Sequence, residues 1–114
     1  MTNDVSFAHV NECIERLIEE GIVNPSIGVA KRSIPVVIKD MNKHAMRRGV
    51  TREDAQRYIN NSIVMFDQKD RALYVSNDGN AVVLNKELRV ISVYGKENFD
   101  YSMNKILEVI NDDE

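Results

Sequence analysis

The feature that most restricts the fold is a change of hydrophobic period at Ser62. Before it, apolar residues recur every three or four positions; after it, they alternate. Residues 63–66, 72–76, 81–84 and 89–94 form four short β-rich runs. They are separated by Asp67 to Arg71, by Asn77-Asp78-Gly79-Asn80 and by Asn85-Lys86-Glu87. Gaps of this size suit hairpins, and Asp78-Gly79 supplies residue types that tolerate a tight turn. Four strands joined by three short turns predict an antiparallel meander, because parallel neighbours need long crossovers.

Helices are predicted on either side of it. In residues 5–20, Val10, Cys13, Ile14, Leu17 and Ile18 share one face, opposite Glu12, Glu15, Glu19 and Glu20, and Gly21 is the natural stop. Residues 22–33 read as a connector with a turn at Asn24-Pro25. A second helix is predicted over 34–48, with Ser33 as cap, Pro35 in the first turn and Gly49 after Arg47 and Arg48. Its β-branched opening, 34–38, also suits a short strand. Thr51 opens a third helix, with Asp54 as the short-armed partner of a capping box and Ala55, Tyr58 and Ile59 as the apolar stripe. A last helix over 101–110 turns Ile106, Leu107 and Ile110 inward. Helices first and strands second predict α+β: N-terminal helices packed on one face of a four-stranded antiparallel meander, with a C-terminal closing helix.

With 114 residues there is room for a single domain. The apolar share of 43% argues against a disordered or collagen-like chain. One cysteine, Cys13, excludes an internal disulfide and any zinc site built from several thiolates. No apolar run approaches bilayer length, and no basic stretch followed by an apolar core opens the chain, so neither a membrane span nor a signal peptide is expected. The net charge of −3 hides an uneven distribution. Residues 31–60 hold eight bases and three acids, whereas residues 1–30 hold one base and five acids. The basic middle is either an ordinary solvated surface or a local anion-binding one, since local field decides where a phosphate docks.

Within that middle, His44 stands among Lys39, Lys43, Arg47 and Arg48. Neighbouring positive charge lowers a histidine's pKa and keeps it available as a base, while the cations suit a phosphate. The structural alternative is a helix C-terminus carrying cations for its dipole. In the last run, alternation puts Arg89, Ile91 and Val93 on one face and Val90, Ser92 and Tyr94 on the other. Ser92 and Tyr94 offer two hydroxyls to a phosphate, with Lys96 just beyond; Tyr74 and Ser76 form a similar pair. Such pairs are also ordinary sheet chemistry. His9 and Cys13, at i and i+4, read as structural because Cys13 lies on the apolar stripe. No third donor completes a metal site, and there is no Gly-rich phosphate loop or dinucleotide fingerprint.

Taken in order, residues 34–100 resemble the barnase–EndoU–colicin–RelE group of metal-independent RNases, as found in phage proteins and in polymorphic and contact-dependent inhibition toxins. Three short stretches carry the resemblance: His44-Ala45-Met46-Arg47-Arg48-Gly49, Val50-Thr51-Arg52-Glu53-Asp54 and Ser92-Val93-Tyr94. The resemblance implies cleavage of RNA, with tRNA as the expected target, through attack of a ribose 2′-OH on its phosphate. The product is a 2′,3′-cyclic phosphate, and no cofactor is expected. It assigns His44 as acid or base, Arg47 to the phosphorane, Ser92 and Tyr94 to the phosphate oxygens or the 2′-OH, and Lys39, Lys43, Arg48 and Lys96 to substrate binding. It also implies action in the cytoplasm, delivery as the C-terminal part of a larger exported toxin, and a cognate immunity protein. Two other readings stay open: a non-catalytic interaction module on the same scaffold, and a nuclease-derived phage or mobile-element protein whose activity has lapsed.

Overall fold

A computed structural model describes residues 7–21, 29–43, 45, 49–76, 78–99 and 101–112. Among these the chain is α+β, with three α-helices and one six-stranded sheet. The elements are α1 (Phe7–Glu19), β1 (Val29–Arg32), β2 (Asp40–Met41), α2 (Arg52–Asn60), β3 (Ser62–Asp67), β4 (Arg71–Ser76), β5 (Asn80–Asn85), β6 (Arg89–Gly95) and α3 (Tyr101–Asp112). A 3-10 turn, Lys96–Asn98, joins β6 to α3.

Strands β3 to β6 are the expected antiparallel meander. Register lines up Val64, Val75, Ala81 and Tyr94 across it, and in the neighbouring row Met65, Tyr74, Val82 and Val93. Successive side chains point to opposite faces, so these rows lie on opposite sides. Both sides are covered. On one, Val10, Cys13, Ile14 and Leu17 of α1 meet Met103 and Ile106 of α3 over Val64, Phe66, Val75 and Ala81. On the other, Ala55 and Ile59 of α2, together with Ile38, cover Met65, Tyr74, Val82 and Leu84.

Local sequence explains the helices. Glu12, Glu15 and Glu19 are exposed on α1, and Glu20 just past it, while Val10, Cys13, Ile14 and Leu17 are buried and Ile18 half-buried; Gly21 takes φ +77° where the helix ends. At α2 the Thr51 hydroxyl accepts from the Asp54 amide and the Asp54 carboxylate accepts from the Thr51 amide, a complete capping box.

Four expectations need correction. The segment predicted as a second helix is extended over 33–39 and then forms β2, while His44 and residues 46–48 lie outside the described residues. β-branched residues at 34 and 36–38 disfavour helix, and the extended path lets Ile38 bury and Val36 half-bury against α2. Its backbone is satisfied from the helix: Gln56 donates to the Val36 carbonyl and accepts from the Ile38 amide, both at 2.8 Å. The predicted connector contains β1, which pairs antiparallel with β3, so Ser33 is no helix cap but a buried hydroxyl bonded to that of Ser62. The sheet is mixed, because β2 runs parallel to β6 at the opposite edge. The helices therefore occupy both faces of the sheet, with α1 and α3 on one and α2 on the other.

Candidate active site at the β2–β6 seam

Parallel pairing of β2 with β6 is the contact that brings the basic middle to the last strand. Asp40 lies opposite Arg89 and Met41 opposite Val90, and the Asn42 amide donates to the Val90 carbonyl at 2.8 Å. One residue earlier, the Lys39 amide donates to the Leu88 carbonyl at 3.0 Å. Sequence separations of 48 and 49 residues are closed here by these two backbone hydrogen bonds and the two register pairs between them. The pairing stops there: the Ala45 amide donates to the Asn42 carbonyl at 3.1 Å, a turn directly after β2.

Of the residues singled out in the sequence, His44, Arg47 and Arg48 lie outside the described residues. Lys39 and Lys43 flank β2 and are exposed; Lys96 is exposed in the turn after β6. Among the described residues these three lysines have no carboxylate within ion-pair distance. The nearby arginines are engaged: Arg52 donates to the Ile38 carbonyl at 2.9 Å, Arg57 pairs with Asp54 at 2.9 Å, and Arg89 approaches Asp40 at 3.6 Å. Lys39 and Lys43 are thus exposed beside β2 and Lys96 beyond the end of β6, while α2 sets Glu53 and Asp54 against Arg52 and Arg57.

Ser92 and Tyr94 do share a face, but the strict alternation expected along β6 does not hold. Ser92 opposes Val83 while Val90 opposes Leu84, which leaves Ile91 as the extra residue of a bulge. The bulge shifts the phase, so Val90 joins Val93 in the α2-side core instead of accompanying Ser92 and Tyr94. Both hydroxyl residues are half-buried, and Tyr94 packs against the α1–α3 core. Met41, Ala45 and Val50, which bracket the His44 stretch, pack against the α2-side core. The described residues that flank the two candidate segments therefore pack against opposite faces.

The other candidates are structural. Tyr74 is buried in the α2-side core; burial first, and the Asp67 charge second, push its hydroxyl above the ordinary tyrosine pKa. Ser76 is fully buried and holds its turn, donating to the Asp78 carboxylate and to the Asn80 carbonyl. Cys13 is buried on α1 with its sulfur 3.9 Å from His9 Nε2. Among the described residues no group of three or more His, Cys, Asp or Glu side chains is placed to hold a metal ion, and no helix is long and apolar enough to cross a membrane.

Sequence reasoning missed the Asp40–Arg89 pair and the two α2 side chains, Arg52 and Gln56, that hold the 36–38 backbone. A two-residue parallel strand has no periodicity to detect, and a glutamine that satisfies distant backbone looks like any surface glutamine. Comparison with protein-family models, with curated proteins and with solved structures finds no match to this chain.

Proposed function

We propose that this protein is an endoribonuclease that cleaves RNA, with tRNA as its expected substrate, without a metal ion. The observation that carries the reading is the parallel β2–β6 seam, which ties Lys39 to Asn42 of the basic segment to β6, the strand that also carries Ser92 and Tyr94. The resemblance of residues 34–100 to small toxin and phage RNases supplies the chemistry. His44 takes the proton of a ribose 2′-OH, the 2′ oxygen attacks the adjacent phosphorus, and the bond from phosphorus to the 5′ oxygen breaks. The leaving oxygen takes up a proton from solvent, and a 2′,3′-cyclic phosphate remains. Arg47 neutralises the crowded phosphorane, while Ser92 and Tyr94 hydrogen-bond its oxygens or align the 2′-OH. Lys39, Lys43, Arg48 and Lys96 hold flanking phosphates, and the three of these that are described are exposed without ion-pair partners among the described residues. A nuclease of this kind acts in the cytoplasm of a target cell, arrives as the C-terminal part of a larger exported toxin, and is held in check by an acidic immunity protein over the basic segment.

The test is incubation of the pure protein with total tRNA in EDTA, wild type beside His44→Ala. Discrete fragments with cyclic-phosphate ends are expected, reduced by about 10²–10⁴ in rate in the variant. Fragments that persist unchanged in the variant would remove His44 from the mechanism.

One observation favours a second reading, a non-catalytic interaction module or a nuclease-derived protein that has lost activity. Ala45 belongs to the α2-side core whereas Tyr94 packs against the α1–α3 core. Intact tRNA in both lanes would select that reading.

A further inference from the structure

We propose that the β5–β6 turn, residues 85–89, is the anchor that sets the register of β2 on β6, and that Asn85 is its positioning residue. The catalytic consequence rests on the nuclease reading above; the anchor itself does not.

A strand of two residues does not hold its place unaided, and parallel pairing is the weaker kind. At its upstream end β2 is tied by the Lys39 amide, which donates to the Leu88 carbonyl at 3.0 Å. Leu88 is the one non-glycine among the described residues with positive φ, at 66°. A bulky residue is strained there and persists only where its surroundings over-determine it. Asn85 does this from three directions. Its side-chain oxygen accepts from the Glu87 amide at 3.0 Å and from the Arg89 amide at 2.9 Å, on either side of Leu88. Its own carbonyl accepts from the Leu88 amide at 3.1 Å. The Leu88 side chain is half-buried against the α2-side core, but the carbonyl that meets Lys39 is held by the Asn85 bonds.

The turn therefore aims the Leu88 carbonyl at the Lys39 amide. From that point the register follows: Asp40 on Arg89, Met41 on Val90, and the Asn42 amide on the Val90 carbonyl. The Asp40–Arg89 ion pair at 3.6 Å lies at an exposed edge and adds little to this. Replacing Asn85 with alanine removes two of the three bonds, frees Leu88 to return to negative φ and turns its carbonyl away from Lys39. Aspartate keeps the accepting oxygens. Glycine at 88 adopts the same conformation without strain and keeps the carbonyl in place.

The deciding experiment measures amide hydrogen exchange in the whole chain for wild type, Asn85→Ala, Asn85→Asp and Leu88→Gly, with tRNA cleavage in EDTA alongside. In Asn85→Ala the Lys39 and Asn42 amides are expected to lose at least about tenfold in protection while the central amides of β4 and β5 keep theirs. Asn85→Asp restores the protection and Leu88→Gly retains it. The cleavage rate of Asn85→Ala falls between about tenfold and a hundredfold in kcat with little change in KM. Unchanged protection at Lys39 and Asn42 would overturn the anchor, and so would an equal loss across the meander. Lost protection with unchanged kcat would overturn its catalytic role. A wild type that leaves tRNA intact defeats the nuclease reading alone, and the exchange pattern still decides the anchor.

Discussion

The two faces of the sheet are covered in different ways. On one, two helices of 13 and 12 residues, α1 and α3, lay apolar stripes against Val64, Phe66, Val75 and Ala81. On the other, the cover is a nine-residue helix and an extended segment that brings its own unpaired backbone. Burial alone suffices for the first, because helices satisfy their own amides and carbonyls. The second needs side chains to finish what a neighbouring strand would do. Gln56 bonds both Val36 and Ile38, and Arg52 bonds the Ile38 carbonyl. An irregular segment held by a few specific bonds is also where functional residues are commonly placed, since such segments are freer to vary than packed helices.

The largest effect is expected on the helical face. Leu17→Ala and Ile106→Ala each empty a site that is 1% exposed, and each should cost about 2–5 kcal/mol in urea denaturation. Loss should be global, with protection falling in all strands together; a purely local loss would contradict the single shared core on that side.

A smaller and more local effect is expected from Gln56→Ala. It leaves a backbone amide and a carbonyl without partners and should cost about 1–3 kcal/mol. Exchange at the Ile38 amide should rise first, ahead of any change in β4 or β5. A uniform change would mean that the clamp contributes nothing specific to the α2 side.

Thr51→Ala removes one half of the α2 capping box and should cost about 1 kcal/mol. The other half is sensitive to pH. Hydrogen bonds from Thr51, backbone first, and then from Arg57 hold the Asp54 carboxyl below its ordinary value of 3.8. A depressed folded-state pKa contributes stability that is present above the unfolded value and lost as the pH falls through the folded one. The urea midpoints of wild type and Asp54→Asn should therefore differ at neutral pH and converge as the pH drops below 3.8. A difference that persists in acid would rule out the carboxylate as its source. At the rim, Val37 is 75% exposed, so Val37→Ser should shift stability by no more than about 0.5 kcal/mol. A larger change would show that the extended segment depends on more than its clamp.

The meander was legible because turn chemistry and short β-rich runs are both local. Asp78-Gly79 and the runs around it place each strand end within one residue of its position in the fold. The α1 stripe and the Thr51–Asp54 cap were legible for the same reason. The 34–48 segment was not, because proline, serine and glycine at its ends match helix-boundary chemistry while its β-branched opening matches a strand. The choice fell to α2, whose Gln56 and Arg52 accommodate the extended form. At the candidate site, the sequence pointed to Ser92 and Tyr94 on one face, and this held despite the bulge. It also placed Val90 with them, which failed because a single extra residue at Ile91 reverses the phase upstream.

The sequence by itself determined where the chain alternates, where it turns, which helix faces are apolar and which way the charge is distributed. Each of these is a property of neighbouring residues and is decided over a few positions. Only the tertiary structure decided that β1 and β2 close the two edges of the sheet, that α2 covers the face opposite α1 and α3, and that Lys39 to Asn42 lie beside β6. The two edges turn on backbone hydrogen bonds between residues about thirty to fifty positions apart, whose donors and acceptors every residue carries alike, so that no residue type announces its partner. The α2 side turns on Gln56 and Arg52 side-chain bonds to backbone 14 to 20 positions away.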